Sequence, residues 1–207
     1  MKQNKINKKF VYLISPDKIP NINFYNNLAL VLSSKKISFF QLRLKKETNS
    51  NKLIIGKKIK KICNKYKVKF LINDDPLLAK KLNADGCHLG QKDMDLIKAR
   101  KILKNKIIGV TCHNSINLAK RAIKAGADYL AFGAFYTSKT KIVKYRASLT
   151  VLKSIKKITS LPIVAIGGIK LSNYKKLLLN KANFLAISGY IWNNKRYKPL
   201  EAIRKLK

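Results

Sequence analysis

Carboxylates are what this chain has least of: nine Asp and Glu face 46 Lys and Arg in 207 residues, a formal charge of +37. Such a surplus is enough to attach a protein to nucleic acid by counterion release, and a basic nucleic-acid-binding protein is one reading of it. Arginine, which reads base edges and grips phosphate through paired hydrogen bonds, supplies only six of those cations. The lysines are spread over almost every segment beside many Asn and Ile, as a compositional bias spreads over solvated faces. No specific nucleic-acid partner is therefore expected. Cysteine is scarce as well: Cys63, Cys87 and Cys112 are odd in number and form no CxxC pair, which argues against a disulfide framework and a zinc site. No apolar run approaches the roughly 18 residues that cross a bilayer. The opening MKQNKINKKF leads into no apolar signal core, so a cytoplasmic protein without membrane partners is expected.

What the chain does have is a regular alternation. Eight short runs rich in Val, Ile, Leu and Phe occur at Phe10–Ser15, Ser38–Lys45, Lys69–Asp74, Gly86–Gly90, Lys106–Cys112, Tyr129–Phe135, Leu161–Gly168 and Phe184–Tyr190. Between them lie segments of helical period, such as Leu53, Ile55, Ile59 and Ile62, with lysines on the opposite face. A weak repeat marks the junctions: Asn83-Ala84-Asp85, Gly126-Ala127-Asp128 and Lys181-Ala182-Asn183 each end a helix and open a strand. Eight βα units without a linker predict one (β/α)8 TIM-barrel domain over residues 1–207, which leaves a homo-oligomer open. A doubly wound open sheet is the alternative, but neither GxGxxG after the first run nor GxxxxGK[ST] is present.

A barrel builds its active site at the C-terminal ends of its strands, and here those ends are polar. The second run ends in Gln41-Leu42-Arg43-Leu44-Lys45, whose alternation points Gln41, Arg43 and Lys45 to one side. Two cations facing a lumen are costly without an anion; the bland alternative is an exposed edge strand with surface charges. Asp74, Asp75, Asp93 and Asp95, four of the nine acids, fall at the tops of the third and fourth runs. Asp74 and Asp93 suit Mg²⁺, which takes one or two carboxylates and fills its octahedron with water and phosphate oxygens. Asp75, before Pro76, and Asp95 are expected as helix caps. A hydroxyl-rich loop, Tyr136-Thr137-Ser138-Lys139-Thr140-Lys141, follows the sixth run. Gly167-Gly168 after the seventh run and Ile187-Ser188-Gly189 after the eighth form the pattern of a barrel phosphate site. His88, inside an apolar strand, is expected to be structural; His113 is a candidate acid or base. Cys112 is expected to be packing.

These stretches together resemble the thiamine phosphate synthase family over nearly the whole chain. They are QLRLK at 41–45, ND at 73–74, ADGCHLGQKD at 84–93, IGVTCH at 108–113, GADYLAFGAFYTSKTK at 126–141, PIVAIGGI at 162–169 and AIS at 186–188. The resemblance implies a Mg²⁺-dependent transferase that joins 4-amino-2-methyl-5-hydroxymethylpyrimidine diphosphate to a thiazole phosphate, through a pyrimidine cation, and releases diphosphate. It implies that Gln41, Arg43, Lys45, Asn73 and Lys141 hold the pyrimidine diphosphate, with Arg43, Lys45 and Lys141 catalytic and Thr111 replacing a family serine. Asp74 and Asp93 would be the metal ligands. Ser138 and Thr140 would contact the thiazole, and its phosphate would rest on Gly167, Gly168, Ile187 and Ser188. Leu42, Leu44 and Lys139 belong to the same binding segments. Three departures stand out: the family's QxREK reads QLRLK, its Pro-Thr-x-Thr-Lys reads Thr137-Ser138-Lys139-Thr140-Lys141, and ND is followed by Asp75 where Arg is common. The nearest rival is the thiazole tautomerase of the same superfamily, an isomerase that would use His113 and need no diphosphate site.

Overall fold

Alternate side chains of each strand enter two separate dry regions, which is why the runs read as nearly continuous apolar sequence. In the computed structural model, which describes residues 9–19, 21–137 and 145–207, eight parallel strands pair in chain order and the last closes on the first. They are β1 (Val11–Ile14), β2 (Ile37–Leu42), β3 (Lys69–Asn73), β4 (Gly86–Leu89), β5 (Ile107–His113), β6 (Tyr129–Gly133), β7 (Ile163–Ile166) and β8 (Phe184–Ile187). Between consecutive strands run α1 (Ile22–Ser33), α2 (Asn49–Lys65), α3 (Pro76–Lys81), α4 (Leu96–Leu103), α5 (Ile116–Lys124), α6 (Leu149–Lys156) and α7 (Tyr174–Leu179). After β8 come the short α8 (Gly189–Trp192) and then α9 (Pro199–Lys205). The closed barrel excludes the doubly wound sheet. Because β2 pairs with both β1 and β3, it also excludes an exposed edge strand for QLRLK.

Tyr12, Ile14, Leu71, Tyr129, Ala131, Val164 and Ala186 fill the lumen, while their alternates, including Val11, Leu13, Phe70, Ile72 and Leu130, pack against the helices. Burying one such side chain contributes about 1.5–3 kcal/mol, so a one-residue slip, which would exchange the two sets, is strongly disfavoured. Gly109 is set by a close approach: a Cβ there would lie 1.8 Å from Tyr129 Cζ. The missing side chain lets the Tyr129 ring cross β5 inside the barrel.

Strand ends depart from the expected boundaries where local chemistry intervenes. β2 stops at Leu42 rather than Lys45, because the N–H of Arg43 is taken by the Ser15 hydroxyl instead of a backbone carbonyl. β7 stops at Ile166, since Gly167 and Gly168 adopt φ of +104° and +60°. β8 stops at Ile187 because Ser188 opens α8, so Gly189 and Tyr190 are helical rather than extended. β5 gains His113, reached through a register irregularity between Thr111 and His113.

The three junction repeats share one use at the foot of the barrel. Asp85 Oδ2 accepts from the Phe70 N–H (2.9 Å), Asp128 Oδ2 from the Ile108 N–H (2.7 Å) and Asn183 Oδ1 from the Ile163 N–H (2.8 Å). The backbone N–H of each returns to the carbonyl of that same partner at 2.8 Å. Each residue thus clamps both backbone groups of the preceding odd-numbered strand. Arg100 reinforces one clamp, donating to Asp128 Oδ2 (2.7 Å). Asp128→Ala removes an acceptor from a strand N–H and is expected to cost about 1–3 kcal/mol, read by urea denaturation. A loss within the ~0.5 kcal/mol of ordinary surface changes would show that the clamp contributes nothing.

Candidate active site

The tip of β2 delivers the cation row. Gln41 is buried in the lumen, and its Nε2 donates to Asn73 Oδ1 at 2.7 Å. Beyond the strand end the alternation persists, with Leu42 and Leu44 in the outer shell and Arg43 and Lys45 on the other side. Leu42 and Leu44 therefore offer the lumen backbone rather than side chain. The anions that such cations require come in part from the protein itself: Arg43 Nη1 pairs with Asp17, and Lys45 Nζ lies 3.1 Å from Asp74 Oδ2. Asp17 carried no signal in the sequence, because only the fold brings the loop after β1 over Arg43. A cavity of about 220 Å³ opens beside Lys45, Asn73 and Asp74, with Lys52 of α2 on its wall.

Asp74 and Asp93 meet. Asp74 has φ of +65°, a conformation L-residues seldom adopt, and its N–H donates to His88 O at 2.8 Å. Strain of this kind is characteristic of sites where geometry matters more than local stability. Asp93 Oδ2 accepts from the Gly90 N–H at 2.6 Å, and the Asp93 carboxyl donates a hydrogen bond to Asp74. Burial and the neighbouring Asp74 hold Asp93 above the usual carboxylate range. Burial also disfavours ionised Asp74, but the hydrogen bond from Asp93 and the Lys45 ammonium outweigh it and hold Asp74 below that range. The two carboxyls thus titrate apart, Asp74 losing its proton before Asp93. Asp75 and Asp95 are caps as expected: Asp75 Oδ1 accepts from Leu78 N–H and Asp95 Oδ1 from Ile97 N–H, each at 2.9 Å. Among the described residues no three His, Cys, Asp or Glu gather as a metal cage. Two carboxylates are what Mg²⁺ uses when phosphate oxygens complete its shell, so the donor set fits that ion.

His88 is structural in the expected sense. Its Nδ1 is 2.8 Å from Tyr129 Oη and its Nε2 is 2.8 Å from Thr111 Oγ1. Tyr129 Oη is in turn 2.8 Å from Tyr12 Oη. A buried chain therefore runs Tyr12–Tyr129–His88–Thr111 up the lumen, and burial raises both phenols. The two tyrosines were invisible as site residues; their signal was a polar aromatic at an inward position of an apolar strand. His113, at φ of +52°, stacks on Tyr145 with centroids 4.2 Å apart. It lines a second cavity of about 360 Å³ with Gln91, Asn114 and Ser115. Cys112 is buried packing, its thiol pushed up to about 12 by burial.

The glycine turn after β7 is shaped by contact. A Cβ on Gly168 would lie 2.3 Å from Thr137 O, and one on Gly167 2.3 Å from Ala134 Cβ, so this turn presses against the loop leaving β6. Ser138, Lys139, Thr140 and Lys141 lie outside the described residues. Their flanks are fixed at the top of β6, where Ala134 N–H donates to Tyr145 O and Ala147 N–H to Ala134 O, both 2.9 Å. Ile187 packs its side chain into the outer shell, leaving backbone at the rim. The Ser188 hydroxyl donates to Ser15 O at 3.1 Å.

Residues 11–191 match the family model described as thiamine monophosphate synthase. A thiamine-phosphate synthase of Pelagibacter ubique is 94% identical over 207 residues, the full length of both chains. One of Nitrosomonas eutropha is 39% identical over 191 residues, 92% of this chain and 90% of its own. Among solved structures, a thiamine phosphate pyrophosphorylase from Pyrococcus furiosus matches with a TM-score of 0.84 and 27% identity, covering 98% of this chain and 96% of the other. A 3-hexulose-6-phosphate synthase, at 16% identity and a TM-score of 0.63, shares the barrel fold alone. With its strand-top residues and its full-length relatives in agreement, the chain belongs to the thiamine monophosphate synthase family.

Proposed function

We propose that the protein is a cytoplasmic thiamine-phosphate synthase that couples 4-amino-2-methyl-5-hydroxymethylpyrimidine diphosphate to a thiazole phosphate. The observation that carries this reading is the Asp74–Asp93 pair beside Lys45, an arrangement suited to a divalent cation and a diphosphate at once. Asp74 and Asp93 would hold Mg²⁺, which when bound adds positive charge against the leaving diphosphate. Gln41 and Asn73 present amides to the pyrimidine, next to the Thr111 hydroxyl that His88 orients. Arg43 and Lys45 exchange Asp17 and Asp74 for diphosphate oxygens, and Lys141 is assigned to the same anion. Ser138 and Thr140 take the thiazole, with Lys139 in the same loop. The backbone at Gly167, Gly168, Ile187 and Ser188 takes the thiazole phosphate.

In this scheme the bond between methylene carbon and diphosphate oxygen breaks with its electron pair leaving on the diphosphate. The aminopyrimidine spreads the resulting positive charge, and the thiazole nitrogen then donates its lone pair to form the new C–N bond. No proton is transferred. Catalysis comes from oriented charge and from holding two substrates in line. That demand agrees with His88, whose two nitrogens are both engaged within the lumen.

Asp74→Ala and Asp93→Ala are each expected to reduce turnover by at least about 10²-fold, the scale for removing an oriented charge-stabilising group, with an unchanged circular dichroism spectrum. Activity within a few fold of wild type in both would sink the metal assignment. Chelation should abolish coupling and added Mg²⁺ restore it. Because Mg²⁺ competes with protons for Asp93, whose carboxyl titrates above its ordinary range, Mg²⁺ affinity should weaken as pH falls through that range; a pH-independent affinity by calorimetry would contradict this.

Arg43→Ala and Lys141→Ala should each cost on the order of 2–4 kcal/mol in kcat/KM, and His113→Ala much less. In the tautomerase the order inverts, since a proton shuttle contributes roughly 10²–10⁴-fold. A larger loss for His113→Ala than for Lys141→Ala in the coupling assay would count against the synthase assignment.

A further inference from the structure

We infer that Ser15 is a positioning residue that fixes the spacing between the two anion subsites, tying Arg43 to Ser188 across the seam where the barrel closes. Ser15 follows the end of β1 and is 2% exposed. Its N–H donates to Gln41 O at 2.9 Å, the last regular rung between β1 and β2. In a parallel ladder the next rung would run from the Arg43 N–H to the Ser15 carbonyl. Here the Arg43 N–H goes to Ser15 Oγ instead, at 2.9 Å. The carbonyl that the ladder would have used accepts from Ser188 Oγ at 3.1 Å. One side chain standing in for one backbone acceptor thus lets a single residue hold both neighbouring strand tips.

The surroundings keep this junction in place. The Ser15 proton has two carbonyls within reach, Pro16 O at 3.0 Å and Arg43 O at 3.3 Å. Pro16 confines Ser15 to extended backbone, and Trp192 Nε1 donates to Ile14 O at 2.7 Å, pinning the preceding residue to α8. Ser188 makes no side-chain cap on its own helix; its hydroxyl is spent on Ser15. Arg43 lies past the regular end of β2, so the Ser15 hydroxyl is what carries its backbone at the height of the site.

This inference rests on the assignment of Arg43 to the diphosphate and of Ser188 to the thiazole phosphate. The experiment compares Ser15→Ala, Ser15→Thr, Arg43→Ala and the Ser15→Ala/Arg43→Ala double variant in the coupling assay with Mg²⁺, with a thermal melt of each. Misplacing a reacting group by about 1 Å costs up to ~10²-fold, so Ser15→Ala is expected to lower kcat/KM by about ten-fold or more. Ser15→Thr, which keeps the hydroxyl, should return most of that loss. In the Arg43→Ala background Ser15→Ala should change kcat/KM by less than about two-fold, since residues acting through one another are non-additive. A Ser15→Ala enzyme as active as wild type, beside a crippled Arg43→Ala, overturns the inference alone; so does an equal loss in both backgrounds. A fully active Arg43→Ala overturns the diphosphate assignment and the inference with it. Should Ser15→Ala fail to fold, Ser188→Ala severs only the β8 link: a raised KM for the thiazole phosphate supports the junction, and a wild-type KM overturns it.

Discussion

A parallel sheet closed on itself has no edge, so its unpaired backbone groups are confined to two rims, and most of the carboxylates of this protein answer to those rims. At the foot, Asp85, Asp128 and Asn183 take strand N–H groups that begin the odd-numbered strands. At the top, Asp93 takes the Gly90 N–H, and Asp75 and Asp95 cap α3 and α4. Glu201 accepts from the N–H of Lys198 at the start of α9. Asp17 and Asp74 pair with cations of the site, and Glu47 takes Asn51 Nδ2. All nine acids thus have a partner. A composition biased toward lysine has left carboxylates where a specific donor needs one.

The lumen is graded along its axis. Aromatic and aliphatic packing around Tyr12, Phe39, Tyr129 and Phe184 gives way to the Tyr12–Tyr129–His88–Thr111 chain, then to Gln41 and Asn73, and finally to the charged rim. Each level orients the next. A hydroxyl whose partner is a fixed imidazole, and an amide whose partner is another amide, present definite faces upward at no reorganisation cost when a ligand arrives. This is the preorganisation on which electrostatic catalysis depends.

The charge of +37 acts at longer range. Both substrates of the proposed reaction are anions, and a strongly positive molecule raises the rate at which anions reach it, within a Debye length of about 8–10 Å at ordinary ionic strength. The internal carboxylates of the rim keep the field from being uniform. Asp17 and Asp74 pair with Arg43 and Lys45 at the rim, so the positive charge there is met locally by carboxylates.

The barrel was legible in the sequence because βα periodicity, strand count and turn residues are local properties, each visible within a window of some ten residues. The caps Asp75 and Asp95 were legible for the same reason: a cap is decided by the helix that begins beside it. The cation row could be read as lying on one side of a strand, but its ion partners could not, since Asp17 reaches Arg43 only when β1 and β2 are paired. The sequence placed Asp74 and Asp93 at neighbouring strand tops; that their carboxyls come close enough to shift each other's titration depends on the positive φ of Asp74 and the turn at Gly90. His88 was expected to be hydrogen-bonded, but its partners come from two other strands, and Gly109 had to be empty for the Tyr129 ring to reach it. By itself the sequence determined the elements, their order and the residue types offered at each strand end. Which of those residues meet was decided by barrel closure, because closure fixes the register between strands distant in the chain and so sets the few ångströms on which a hydrogen bond or an ion pair depends.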